Sequence, residues 1–125
     1  MSTIKEVSEE TGLSTYTLRY YEREGILPNV KRDSSGNRLY DSESMEWLQF
    51  ILSLRATGMP LAEIKQYVDL YKKGESTFRQ RKQMMLDHKE KVEKNVAEIL
   101  KYLEIINYKL ALYDIQEKGM FRMMP

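Results

Sequence analysis

The sequence contains few of the side chains on which enzyme active sites and metal centres depend. It has one histidine, His88, and no cysteine among its 125 residues. Disulfides, thiolate metal sites and cysteine nucleophiles are therefore excluded, and His88 stands in a charged run, Asp87-His88-Lys89-Glu90, that is typical of a solvated helix surface. The sequence also has no glycine-rich phosphate loop and no carboxylate pair in an apolar setting. This inventory predicts a protein that is not an enzyme and has no catalytic residues, metal site or cofactor.

Basic side chains are the remaining candidates for chemistry, and their total number gives no support for nucleic-acid binding. The chain carries 20 Lys and Arg against 19 Asp and Glu, a formal net charge of +1. Residues 1–72 hold 9 basic against 11 acidic side chains, and residues 73–125 hold 11 against 8. A DNA-binding surface on this protein must therefore depend on where individual cations lie, because the overall field does not attract a polyanion.

Two short helices are predicted at the start of the chain. Thr3 and Glu6 form a capping-box pattern that begins the first helix. A second helix is predicted over 15–24, with Leu18 and Tyr21 on its apolar face as core residues. Two short helices separated by a few residues form a helix-turn-helix pattern.

A wing and a second pair of helices are predicted next. The polar turn Asp33-Ser34-Ser35-Gly36-Asn37 separates two short β-prone segments within 27–40, which indicates a β-hairpin. A third helix begins near Asp41 and ends at Thr57-Gly58, and Pro60 begins a fourth. The head is therefore predicted to be mainly helical, with one small hairpin.

Beyond Gly74 the pattern becomes one long helix that runs to about Asp114. Apolar residues recur in it with the alternating four- and three-residue spacing of a coiled-coil seam. The seam comprises Val92, Val96, Ile99, Leu103, Ile106, Leu110 and Tyr113. A helix of this kind, roughly 50 Å long at about 1.5 Å per residue, cannot bury its seam against so small a head. The pattern therefore predicts a homodimer in which a second copy covers the seam.

Four blocks of sequence carry the most specific pattern in the chain. They are Thr17-Leu18-Arg19-Tyr20-Tyr21-Glu22, Gly25-Ile26-Leu27-Pro28, Gly36-Asn37-Arg38-Leu39-Tyr40 and Leu54-Arg55-Ala56-Thr57-Gly58-Met59-Pro60-Leu61. In this order and spacing they closely resemble the MerR family of bacterial transcription regulators over roughly residues 3–73. The resemblance implies a winged helix-turn-helix head, a second helical pair and a long helix that pairs antiparallel with its dimer mate. It also implies that the homodimer binds a pseudo-palindromic promoter and distorts it so that RNA polymerase can engage.

The resemblance implies which residues contact DNA. They are Thr15, Tyr16, Thr17, Arg19, Tyr20, Arg38, Tyr40, Arg55 and Lys65. The first three lie near the start of the second helix, where side chains reach base edges in the major groove. Arg19 would hold a phosphate or a guanine, and the Tyr20 hydroxyl would hold a phosphate. Arg38 and Tyr40 in the wing would clamp the backbone, and the last two residues rest on family analogy alone. Arg19 has an alternative partner in Glu22, three residues on along the helix, although exposed pairs of that kind contribute little.

The signal to which such a regulator responds is open. The chain resembles the short MerR-type regulators that respond to aldehydes and thiol stress, and where these have a sensing cysteine this chain has Ser53. A serine hydroxyl stays protonated, so the alignment predicts that thiol sensing is absent. The alternative is a small apolar ligand held by aromatic and methionine side chains, although packing of the helix ends is the favoured interpretation for them. These side chains are Tyr67, Tyr71, Tyr102, Tyr108, Tyr113, Met120, Phe121, Met123 and Met124.

These observations divide the chain into a DNA-binding domain at 1–73, a dimerisation helix at 76–114 and a short tail at 115–125. The expected partners are promoter DNA, a second copy, RNA polymerase and an unidentified small-molecule effector. An architectural DNA-bending protein without an effector is the alternative, since the same head and dimer would serve it. The absence of a basic and apolar leader and of any long apolar segment favours the cytoplasm over a membrane or the exterior.

Overall fold

A computed structural model describes residues 1–119. Its elements are β1 (Ser2–Thr3), α1 (Ile4–Thr11), α2 (Thr15–Arg23), β2 (Lys31–Arg32), β3 (Arg38–Tyr40), α3 (Ser42–Ala56), α4 (Leu61–Lys72), a 3-10 turn (Glu75–Thr77) and α5 (Phe78–Glu117). They form two compact units, one from Met1 to Leu86 and a second that begins at Asp87. The fold is mainly helical with a small antiparallel sheet, which confirms the predicted fold class.

The predicted tail, 115–125, is described only as far as residue 119. Met120, Phe121, Met123 and Met124, which the sequence offers as walls of a ligand site, lie outside the described residues.

Polar side chains cap the first three helices of the head. The Thr3 hydroxyl accepts from the Glu6 amide at 3.2 Å, and the Glu6 carboxylate accepts from the Thr3 amide at 2.9 Å. Ser14 and Asp41 cap α2 and α3 by accepting from the amide three residues on. Between α1 and α2, Gly12 has a φ of 78°, a left-handed conformation that lets the chain turn sharply. The predicted capping box and helix-turn-helix are confirmed.

The sheet has three strands in the order β1-β3-β2. The predicted hairpin is the β2–β3 ladder, in which Arg32 lies opposite Arg38 across the turn 33–37. The strand β1 was not predicted, and it pairs with the other side of β3, with Ser2 opposite Tyr40. A strand of two residues is too short to show the alternation by which strands are found in sequence. Its pairing ties the start of α1 to the wing.

Asp33 closes the wing turn. Its Oδ1 atom accepts from the amides of Ser35 and Asn37, each at 2.9 Å. Hydrogen bonds from Asn37, followed by those from its neighbours in the turn, hold the pKa of the Asp33 carboxyl below its ordinary value. Gly36 supplies the positive φ of 84° that the turn requires. The turn is thus built by local hydrogen bonds and does not need the core to define it.

One hydrophobic core joins α1, α2, α3, α4 and the sheet. Its buried members are Val7, Leu18, Tyr21, Ile26, Leu27, Tyr40, Leu48, Ile51, Leu54, Met59 and Ile64. The prediction that Leu18 and Tyr21 are core residues is confirmed. Because these two side chains fix the inner face of α2, its opposite face is left to solvent.

The second helical pair carries an aromatic cluster. The Trp47 ring on α3 lies 4.7 Å from the Tyr71 ring and 6.0 Å from the Phe50 ring, measured between centroids. Tyr67 on α4 contacts Phe50 at 5.5 Å. The Arg81 guanidinium stacks over Tyr71 at 5.7 Å, so the first turn of α5 is tied to the same cluster.

The second unit consists of α5 beyond Leu86 and its following turn. The whole of α5 has 40 residues and extends to Glu117, three residues past the predicted end. None of its side chains is buried. The seam residues Ile99 and Leu103 are 65% and 46% exposed. Within residues 1–119, no helix is both long enough and apolar enough to cross a membrane.

Candidate nucleic-acid interface

The first turn of α2 presents three side chains after the Ser14 cap. Tyr16 is 71% exposed, and Thr15 and Thr17 are half-buried. The Ser14 hydroxyl donates to the Thr17 hydroxyl at 2.9 Å, which fixes that side chain against the cap. Of the three side chains, Tyr16 therefore extends furthest into solvent.

Arg19 extends the same face of α2 by one turn. Its Nη1 atom donates to the Thr15 hydroxyl at 3.3 Å, and its side chain is exposed. The alternative pairing with Glu22 is not present, because that carboxylate is engaged by the wing. Arg19 thus stays beside the start of the helix.

Glu22, Arg32 and Arg38 form a three-residue cluster that we call the wing clamp. The Glu22 Oε1 atom on α2 accepts from the Arg38 Nε atom on β3 and from the Arg32 Nη2 atom on β2, the latter at 3.0 Å. The Arg32 Nη1 atom also donates to the Gly36 carbonyl at 3.0 Å, within the wing turn. Glu22 and Arg38 are four-fifths buried, and Arg32 is about half exposed. One carboxylate therefore joins α2 to both strands of the wing.

Neither Arg32 nor Glu22 was among the candidate contacts predicted from the sequence. A signal for Arg32 was available, because Arg32 and Arg38 lie symmetrically on either side of the five-residue turn. A hairpin closed by that turn places them opposite each other. No local pattern indicated that Glu22 meets this pair, since the contact depends on the angle between α2 and the sheet.

An open cleft separates the first turn of α1, α2 and the wing turn. Lys5, Arg19 and Arg38 line it from three different elements, with Asp33 at the wing side. Convergent cations beside a turn suit the phosphate oxygens of a nucleic acid. Lys5 was missed by the sequence reasoning because its place beside the wing follows from the pairing of β1 with β3.

The prediction that Tyr40 contacts DNA is wrong. Tyr40 is 1% exposed, and its hydroxyl is buried without a hydrogen-bond partner among the described residues. Burial raises the pKa of its hydroxyl, and the negative charge of Glu22 raises it further. Arg38 and Tyr40 share one face of β3, but that face is open at the wing and covered by the core at Tyr40. Spacing alone could not separate the two environments.

The remaining predicted contacts lie apart from the wing clamp. Tyr20 is half-buried against the core, with the Arg23 guanidinium 5.7 Å from its ring centroid. Arg55, in the last turn of α3, and Lys65, on α4, are both exposed. Neither of these cations pairs with α2 or the wing in the part of the chain that the structure describes. Their contact with DNA stays a prediction.

Two family models match this architecture along the chain. The MerR HTH family regulatory protein model covers residues 2–70, and the MerR, DNA binding model covers residues 45–105. The chain belongs to the MerR family of transcriptional regulators. The family assignment covers the helix-turn-helix, the wing and the second helical pair that the structure describes.

Relatives and solved structures agree with this assignment to the MerR family. An uncharacterized HTH-type transcriptional regulator of Haemophilus influenzae is 38% identical over 112 residues, which are 90% of this chain and 83% of the relative. The HTH-type transcriptional regulator AdhR of Bacillus subtilis is 38% identical over 71% of this chain and 64% of its own length. The crystal structure of HiNmlR, a MerR family regulator lacking the sensor domain, is of a complex with promoter DNA. It matches with a TM-score of 0.84 and 36% identity over 94% of each chain.

Proposed function

We propose that this MerR-family regulator binds a pseudo-palindromic promoter as a homodimer and distorts the DNA to control RNA polymerase. The observation that carries the proposal is that the exposed start of α2 and a cation-bearing wing are held together in one unit by the wing clamp. The complex of its structural neighbour HiNmlR with promoter DNA supports the same use of this fold. A protein of this function acts in the bacterial cytoplasm and requires no catalytic site.

On this proposal α2 enters the major groove and the wing follows the adjacent backbone. Thr15, Tyr16 and Thr17 read base edges, because they occupy the end of α2 that emerges from the turn. Arg19 and Arg38 contact phosphates and fix the register. The remaining contacts on this proposal are Tyr20, Arg55 and Lys65, together with the newly found Lys5 and Arg32.

The homodimer is supported by the exposed apolar seam of α5. Six of its seven predicted members, from Val96 to Tyr113, are more than two-fifths exposed in the single chain. Contiguous apolar surface of this kind marks an interface, and a second copy of the helix offers the matching stripe. The coiled-coil assignment at 76–114 and the DNA-binding domain at 1–73 are proposed as the functional units.

The regulation on this proposal does not use a thiol. Ser53, the residue aligned with the sensing position, is exposed on α3 and donates its hydroxyl to the Phe50 carbonyl at 2.6 Å. A hydroxyl held in this way is a poor nucleophile for an aldehyde. A small-molecule effector that acts without a thiol is part of the proposal.

Binding of the purified protein to its own upstream intergenic DNA tests the proposal. We expect saturable binding by fluorescence anisotropy, a footprint that resists competitor DNA, and a change in transcript yield when RNA polymerase is added. Binding that is indifferent to sequence and vanishes with salt would contradict the proposal for that site. Specific binding that bends DNA without changing transcript yield under any small molecule would favour the architectural alternative.

A further inference from the structure

The wing clamp places two like charges directly opposite each other. Arg32 and Arg38 are cross-strand partners in the β2–β3 ladder, and such pairs of like charge destabilise a hairpin. Glu22 accepts from both guanidinium groups through one oxygen, which leaves the cluster with one net positive charge instead of two. The carboxylate therefore stabilises the wing and also reduces the charge that the wing offers to DNA.

The carboxylate comes from the element that carries the base-reading side chains. Glu22 and Thr17 lie on the same nine-residue helix, α2. Glu22 thus fixes the orientation of the wing relative to α2, the helix whose fit on DNA depends on the base sequence. A phosphate that reaches the wing must compete with Glu22 for Arg32 and Arg38, and a docked α2 would hold that phosphate beside the two arginines.

We propose that Glu22 is a specificity-determining residue that masks Arg32 and Arg38 from random DNA and lets them engage phosphates when α2 has docked on its cognate bases. This inference rests on the proposed function, since it requires a cognate site. Glu22 acts through the two arginines and is therefore a positioning residue. Removal of its charge should strengthen non-specific binding while it weakens discrimination, which is a signature that simple damage to the fold does not produce.

The test compares two duplexes and three variants. The cognate probe is the duplex that the wild-type protein enriches most from a random library, and the non-specific probe is a scrambled duplex of the same composition. The variants are Glu22→Gln, Glu22→Asp and the control Glu24→Gln. Glu24, two residues on at the end of α2, is exposed and its side chain makes no hydrogen bond or ion pair within residues 1–119. The two Gln variants remove the same charge from neighbouring positions.

We expect Glu22→Gln to bind the scrambled duplex at least about fivefold more tightly at low salt, because the two arginines are then free to contact phosphates. Each new phosphate contact should also steepen the salt dependence of the affinity by about 0.9. The ratio of cognate to scrambled affinity should fall by about tenfold, the discrimination of roughly one good contact. Glu22→Asp keeps the charge and should leave scrambled binding near wild type, and Glu24→Gln should leave the salt slope unchanged.

A reciprocal variant keeps the inference testable if Glu22→Gln unfolds. Arg32→Gln removes a half-exposed cation and with it the one net positive charge of the cluster, so it should weaken cognate binding more than scrambled binding. Equal weakening on both duplexes by Glu22→Gln or Arg32→Gln, or equal effects of Glu22→Gln and Glu24→Gln, would overturn the inference. Failure of the wild-type protein to enrich any duplex would instead overturn the proposed function. The fluorescence of Trp47, the single tryptophan, reports whether each variant is folded.

Discussion

At the scale of single residues, the structure separates side chains that the sequence treats alike. Arg38 and Tyr40 are two residues apart on β3, yet one belongs to the wing clamp and the other to the core. On our proposal, a DNA contact by Arg38 replaces its contact with the Glu22 carboxylate, so its free energy is the difference between the two contacts. A cation that is already paired therefore contributes more to discrimination between sites than to total affinity.

The variant Arg38→Ala tests the role of the wing. We expect it to weaken binding to the cognate duplex by on the order of 1–3 kcal/mol, as for the loss of one good charged contact. Arg79→Ala is the matched control, since Arg79 is exposed at the start of α5 and makes no ion pair within residues 1–119. Anisotropy titrations at two salt concentrations measure the difference, and equal affinities for Arg38→Ala and wild type would remove the wing from the interface.

The variant Tyr40→Phe tests the burial of the Tyr40 hydroxyl. A buried hydroxyl without a partner costs about 1–3 kcal/mol in desolvation, so its removal should leave the protein at least as stable as wild type. Affinity for the cognate duplex should stay within about twofold, because a residue inside the core does not reach a phosphate. Urea unfolding followed by Trp47 fluorescence and an anisotropy titration measure the two quantities. A clear loss of affinity at unchanged stability would restore Tyr40 to the interface.

At the scale of elements, local sequence patterns predicted the helices and the wing but could not predict contacts between residues far apart in the chain. The capping box at Thr3 and the turn at Asp33 are made by residues within four positions, so their hydrogen bonds follow from spacing. The strand β1 and the contact of Glu22 with the wing depend on how distant elements pack. The sequence could therefore offer candidate contacts on α2, the wing and the second helical pair, whereas it could not show that the Glu22 carboxylate joins α2 to the wing.

Acid should loosen the wing turn. Hydrogen bonds from Asn37 and its neighbours hold the pKa of Asp33 below its ordinary value. Such a group contributes its full stability at pH values above the ordinary aspartate pKa of about 3.9 and loses it as pH falls through the lower folded pKa. NMR should show the Asp33 carboxyl carbon titrating at lower pH than a peptide aspartate, with loss of Asn37 amide protection over the same range. A midpoint at or above the peptide value would contradict this, and Asp33→Asn should abolish the pH dependence.

At the scale of the whole molecule, α5 has more apolar surface than one seam accounts for. Ile105 and Tyr108 are 60% and 68% exposed, and both lie off the seam. With Leu112 and Ile115 they recur at three- and four-residue spacing, which makes a second stripe near the end of the helix. The heptad spacing identifies only one stripe, because it describes apolar residues that recur along a single face of the helix. A dimer would cover the seam and the second stripe if each long helix packed against the long helix of the second copy and also against another part of that copy.

The variant Leu103→Asp tests the dimer through the centre of the seam. Leu103 lies in the middle of the seven seam positions, so a carboxylate there must be buried unpaired against the partner helix, at a large cost. We expect sedimentation equilibrium to show a monomer at concentrations where the wild-type protein is a dimer, and cognate binding should weaken because two half-sites no longer bind together. Ala97→Asp introduces the same charge next to the seam position Val96 but outside the seam, and it should stay dimeric. A stable dimer of Leu103→Asp would place the contact between copies on another surface of the chain, with the second stripe as the next to be tested.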